Sequence, residues 1–256
     1  MATQKREKTS WGAVAEWYNA LLEGNPKSYQ RDVILPNLLR VLELKKGETI
    51  VDIACGQGFF LKAFSETGAR VIGVDISREL IQHARKNIPE GVILHSAPAD
   101  SMPFIKDGSI EKASIILAIQ NIADIHGVLK EASRMLRPEG KLVLVMNHPA
   151  FRIPRASAWV WDEKQKTQYR RIDRYLSESK VKMNMHPGKN LSECTLSFHR
   201  PLQFYFKSMH KNGFYVSKLE EWISHKKSAS GPRSRGEDMA RREIPLFLCM
   251  EAVKHT

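Results

Sequence analysis

Three cysteines in 256 residues, Cys55, Cys194 and Cys249, are odd in number and too far apart to make a disulfide scaffold or a paired-thiolate metal site. A reducing, cytoplasmic setting is expected, with Cys55 as a small buried turn residue rather than a nucleophile. Long hydrophobic runs are also missing. None approaches the ~18 apolar residues of a membrane helix, so no span is expected. The octet from Met1 to Lys8 is polar and lacks the apolar segment of a secretory leader. There is no internal repeat and no His-Glu helix motif, so neither a repeat array nor a resident metal is expected. Acidic residues are in short supply, 28 against 40 Lys and Arg, for a net charge of +12. That excess is uneven. Residues 1–150 carry 19 basic and 17 acidic side chains, residues 151–200 carry 11 and 5, and residues 201–256 carry 10 and 6. The third quarter of the chain therefore faces either plain solvent or an anionic partner.

What is present begins with an ordinary 42% of apolar residues, enough for one sizeable α/β core with an added cap. The stretch Val51-Asp-Ile-Ala-Cys-Gly-Gln-Gly-Phe-Phe60 follows a short β-branched run, as a buried parallel strand would. Gly56 and Gly58 then let the backbone turn sharply and approach a ligand with no Cβ in the way. A second strand, Val71-Ile-Gly-Val-Asp75, places a carboxylate at its end, suited to accept both hydrogens of a ribose diol. Together they spell a nucleoside site. A dinucleotide fingerprint would need a small residue three positions beyond Gly58, where this chain has Leu61. A bulky residue there suits a nucleoside without a pyrophosphate.

The run from Val51 to Gly58 resembles the first motif of the class I S-adenosylmethionine-dependent methyltransferases, hydrophobic-Asp-hydrophobic-Gly-Cys-Gly-x-Gly, with Ala54 in place of the first glycine. Other segments follow in that family's order: a strand over 92–96 leading to Ala99 and Asp100, a fourth over 112–118 leading to Ile119-Gln-Asn-Ile122, a helix over 125–136, and a fifth strand over 141–146. The resemblance implies a doubly wound, seven-stranded, mostly parallel sheet of Rossmann-like type, whose last strand is reversed and inserts beside the fifth. It implies S-adenosyl-L-methionine as cofactor. Contacts are expected at Asp52, Ala54, Gly56, Gly58, Asp75, Ile76, Ala99, Asp100, Ala118 and Asn121. No Asn-Pro-Pro-aromatic or Asp-Pro-Pro-aromatic tetrapeptide follows the fourth strand, which argues against amide or exocyclic-nitrogen acceptors and leaves oxygen or a basic nitrogen.

The remaining segments complete a single domain. Residues 1–45 form a helical lid, 46–147 the cofactor core, 148–200 an inserted cap and 201–256 a C-terminal helix with a strand pair. The lid contains an amphipathic segment, Trp11 to Leu22, and a helix from Ser28 or Tyr29 to Leu42 that Pro36 kinks or breaks. Tyr18 and Tyr29 are candidates for the methionine end of the cofactor or the acceptor pocket. In the cap, residues 157–176 read as a helix mixing Trp and Tyr with Arg, followed by a hairpin over 180–198. After it come a helix over 201–212, a strand from Phe214, a charged loop over 224–242 without a strong helix, and a strand from Ile244. His148 and His199, at strand ends, are the candidate general bases. Asp124 has the chemistry of a helix N-cap. The expected acceptor is a small molecule. An RNA methyltransferase, favoured by the basic cap, and a cofactor-binding protein without transfer activity are the alternatives.

Overall fold

A computed structural model of the chain describes Trp11 and residues 27–186 and 190–255. Its central sheet follows from alternation in short β-branched strands. In β1 (Thr49–Ile53), Val51 and Ile53 point to one face and Ile50 to the other; in β5 (Leu136–Asn147), Leu142, Leu144 and Met146 oppose Val143 and Val145. Both faces are thus apolar, and helices cover both. Between these strands run β2 (Arg70–Asp75), β3 (Ile93–Ser96) and β4 (Ile110–Ile116); β10 (Phe214–Trp222) and β11 (Phe247–Lys254) complete the sheet. The order is β10-β11-β5-β4-β1-β2-β3. β1 to β5 pair in parallel, and β11 runs antiparallel between β5 and β10, as the resemblance implies.

One face is covered by α1 (Leu35–Leu42) and α2 (Phe59–Glu66), which bury Leu38, Val41, Leu42, Phe60, Leu61 and Phe64, with Ile81 of α3 (Arg78–Asn87) beside them. The opposite face receives α4 (Ile125–Met135) and α5 (Leu202–Lys211), through Val128, Leu129, Ala132, Tyr205 and Met209. Pro36 does not stop the helix: a wide π-turn, Gln30–Ile34, runs directly into α1 and closes with the Leu35 N–H on the Gln30 carbonyl, and Pro36 sits in the first turn of α1. β1 to β3 wind to one side and β4 and β5 to the other. This creates a crevice at the carboxyl ends of β1 and β4, where open α/β sheets bind ligands.

Two expectations are corrected. Residues 157–176 form no helix but a hairpin, β6 (Ser157–Asp162) and β7 (Thr167–Ile172). The reason is local: Trp159, Val160 and Trp161 favour extended backbone, and the Asp162 carboxylate accepts the N–H groups of Lys164 and Gln165 to fix a turn. The cap is therefore two hairpins, the second being β8 (Ser179–His186) and β9 (Asn190–His199). The charged loop over 224–242 in turn contains α6 (Ser234–Glu243), of which only Ala240 is buried. Tyr18 lies outside the described residues, as does all of the Trp11–Leu22 segment except Trp11. Among the described residues, no helix is long and apolar enough to cross a membrane.

Candidate functional site

The glycine turn is built by backbone angles that few side chains tolerate. β1 ends at Ile53, and Ala54, Gly56 and Gly58 all take positive φ, 60°, 58° and 84°. Gly58 caps α2, and its N–H reaches the Cys55 carbonyl at 3.1 Å. A Cβ on Gly56 would meet nothing within 4 Å, so the turn opens onto free space rather than onto protein. Beside that opening stands Asp75. One carboxylate oxygen accepts the Gly56 N–H at 2.9 Å and the other the Ser77 N–H at 2.8 Å. Each oxygen keeps a lone pair for a further donor. Burial raises the Asp75 pKa against the opposing pull of these N–H groups. Ile76, next in sequence, is 53% exposed, an uncommon state for an isoleucine and one that leaves an apolar face at the site.

Asp52 lies beneath the turn on β1. Ser114 of the paired strand β4 donates its hydroxyl to the Asp52 carboxylate at 2.7 Å. Burial, assisted by the nearby Asp75 charge, pushes the Asp52 carboxyl up to about 7. Leu61 occupies the third-glycine position and packs on Gly73 of β2, where a Cβ would fall 2.6 Å from the Leu61 Cδ1.

Beyond β4, Leu117 takes a positive φ of 54° and leads into a short 3-10 turn, Ile119–Asn121, closed by the Asn121 N–H on the Ala118 carbonyl at 2.8 Å. Gln120 donates to the Leu117 carbonyl, while its Oε1 is buried with no partner among the described residues. Gln120 was not singled out in the sequence, because a lone glutamine in an apolar run carries no pattern. Asp100 approaches α4: its Cβ lies 3.1 Å from where a Gly127 Cβ would stand. Asp124 caps that helix, accepting the Gly127 N–H at 2.9 Å.

The remaining candidates are more dispersed. Tyr29 donates to or accepts from Ser224 at 3.1 Å and packs edge-on against Phe247 of β11, three strands from β1. His148 is buried. Its Nδ1 accepts the Ala150 N–H, so the Nε2–H donates to Glu221 at 2.7 Å, and both ring nitrogens are engaged. Burial lowers its pKa, partly offset by Glu221. His199, also buried, donates its Nε2–H to the Tyr175 carbonyl at 2.7 Å. Next to it, Arg200 donates to the Ile122 and Ala123 carbonyls and so pins the second hairpin against the end of β4.

Comparison with known proteins agrees with this fold. Residues 51–144, from β1 to β5, match the family model described as a methyltransferase domain. A solved S-adenosylmethionine-dependent methyltransferase from Mesorhizobium loti superposes with a TM-score of 0.68 at 25% identity, over 85% of this chain and 96% of that one. Residues 51–144 thus form a methyltransferase domain, on the fold of the S-adenosylmethionine-dependent methyltransferases. Among curated relatives, the demethylmenaquinone methyltransferase of Tropheryma whipplei is 31% identical over 113 residues, covering 43% of this chain and 46% of that protein. An uncharacterised protein from a Streptomyces fradiae transposon is 36% identical over 134 residues, covering 46% of this chain and 38% of that protein. The chain thus spans less than half the length of these two relatives. Within the methyltransferase family the open Gly56 turn, the anchored Asp75 and the exposed Ile76 fit a nucleoside cofactor, S-adenosylmethionine.

Proposed function

We propose that the protein transfers the methyl group of S-adenosylmethionine to a small-molecule acceptor bound between the carboxyl ends of β4 and β5 and the two hairpins. The observation that carries this reading is the Gly56–Asp75 cradle, a buried carboxylate held open-handed beside a turn with free space above it. Asp75 would receive the ribose hydroxyls, Ile76 would pack on the adenine face and Asp100 would take the adenine amino group. The strand-end backbone around Ala118 and Asn121 would flank the other end. The bound cofactor supplies an activated methyl and its own leaving group. The chain's task is then to align the acceptor in line, exclude water and, where the acceptor carries a proton, remove it.

The small-molecule reading is supported by the way the cap is tied down, since Arg200 holds the end of the second hairpin to the segment after β4 and Tyr175, between the hairpins, accepts the Leu202 N–H of α5. The name of the Tropheryma relative, which points to a quinone acceptor for that protein, is of the same kind. His148 and His199 remain the candidate bases. For His148 the role requires release of the Ala150 N–H, which now occupies its only free lone pair.

Asp75→Asn tests the cradle. It keeps the shape but removes the charge that strengthens each hydrogen bond, so S-adenosylhomocysteine should bind more than tenfold more weakly by calorimetry while circular dichroism is unchanged. Unchanged affinity in the folded variant would remove Asp75 from the site. Transfer of radiolabelled methyl from S-adenosylmethionine to fractionated extract then separates metabolite, RNA and no acceptor.

A further inference from the structure

A cavity of about 320 Å³ lies at the same rim of the sheet, just past β5 and before β11, lined in part by Tyr29, Phe151, Arg152, Trp159, Arg170 and Leu246. Two guanidinium groups enter it. Arg152 makes no side-chain hydrogen bond or ion pair among the described residues; it rests over the Phe247 ring, 5.7 Å from the centroid. Arg170 donates to the Phe151 carbonyl and the Ser157 hydroxyl at 2.7 Å each and stacks on Trp159, but meets no carboxylate among the described residues. Two other cap arginines are employed elsewhere: Arg171 pairs with Asp173, and Arg155 donates to the Lys182 carbonyl.

Two neighbouring cations line an aromatic hollow with no anion of the described chain between them, and Arg170 offers its fork from a half-buried position. We propose that this cavity binds the anionic group, carboxylate or phosphate, of an aromatic or otherwise planar acceptor. Arg152 takes the charge, Arg170 is held in place by the hairpin, and Trp159 and Tyr29 flank the organic part. Arg152 is exposed at the mouth of the cavity and Arg170 is half-buried; partial desolvation lowers both guanidinium pKa values, which an incoming anion would reverse. β5 stands two strand intervals from β1, roughly 10 Å, so a small acceptor anchored here can extend toward the end of β4. The inference rests on the methyltransferase reading and names the acceptor class for it.

The test uses the full chain with saturating S-adenosylhomocysteine and three probes of similar shape, benzoate, phenyl phosphate and neutral benzamide, followed by calorimetry and tryptophan fluorescence. At least one anion should bind tenfold or more tightly than benzamide, and the tighter of the two identifies the group. Arg152→Gln should lose at least tenfold of that affinity, and Arg171→Gln, which removes the same net charge from the surface, should lose none. Arg152→Lys should recover part of it. Equal binding of benzamide, an unaffected Arg152→Gln, or equal loss in Arg171→Gln would overturn the proposal. The cofactor titration itself is independent: intact S-adenosylhomocysteine binding with no anion selectivity would sink the subsite alone, and absent cofactor binding would sink the methyltransferase reading.

Discussion

Ala54 holds a backbone angle that costs an L-residue about 1–2 kcal/mol and glycine nothing. The loss of conformational freedom on replacing it by glycine takes back part of that, so Ala54→Gly should stabilise the protein by about 0.5 kcal/mol in urea denaturation and leave S-adenosylhomocysteine affinity unchanged or higher. Asp52 gives a pH signature. Its carboxyl stands near 7 in the folded protein, above the ordinary ~3.9, so the folded state holds the proton more tightly. That stabilisation is complete below about 4 and is lost as pH rises through 7, roughly 4 kcal/mol at most if Asp52 alone carried it. The wild-type urea midpoint should therefore fall between about pH 4 and 7, and Asp52→Asn should flatten this fall. A wild-type slope preserved in the variant would place the buried proton elsewhere. These are effects of single side chains, and the turn that carries them was plain in the sequence because glycine spacing and a strand-end carboxylate are local chemistry.

Between α2 and β2, the fit of Leu61 into the gap at Gly73 makes one unit of two elements. Gly73→Ala would bring a methyl within 2.6 Å of Leu61 and 2.8 Å of Leu94, an overpacking expected to cost about 1–3 kcal/mol and to loosen cofactor binding by shifting the turn. Adding Leu61→Ala should make the double variant less unstable than the sum of the singles by about 0.5–3 kcal/mol; strict additivity would show that the two side chains do not share this space. The legible elements had local signals: β1, β2 and β4 follow from short apolar runs, α4 from its apolar helical face, and α5 from Pro201 and Gly213 at its ends. The first cap hairpin was not, because its Arg and aromatic residues fit helical spacing as well as alternation, and the deciding signal is the Asp162 turn. α6 was missed for the opposite reason: with Ala240 alone buried, it has hardly any apolar stripe to read. The cavity around Arg152 was beyond any linear reading, since Tyr29, Trp159 and Leu246 meet only in the folded chain.

At the level of the whole molecule, cofactor core and cap should separate by function. Replacing residues 150–199 with a Gly-Ser link removes both hairpins and leaves every strand of the main sheet, so methyl transfer should vanish while S-adenosylhomocysteine still binds within about tenfold of wild type. A larger loss in calorimetry would make the hairpins part of the cofactor site. The position of β11 has a different kind of consequence. It lies between β5 and β10 and contributes Leu248, Met250 and Ala252 to the main core, yet it is the last strand in the chain. During synthesis at about 5–20 residues per second, the β5 edge stands unpaired for on the order of ten seconds before its partner emerges. Exposed edges of that sort recruit strands from other molecules. A nascent chain stalled after Trp222 would already possess the glycine turn and would still be a nucleus for aggregation, which makes the window before β11 arrives the stage at which a chaperone has most to protect.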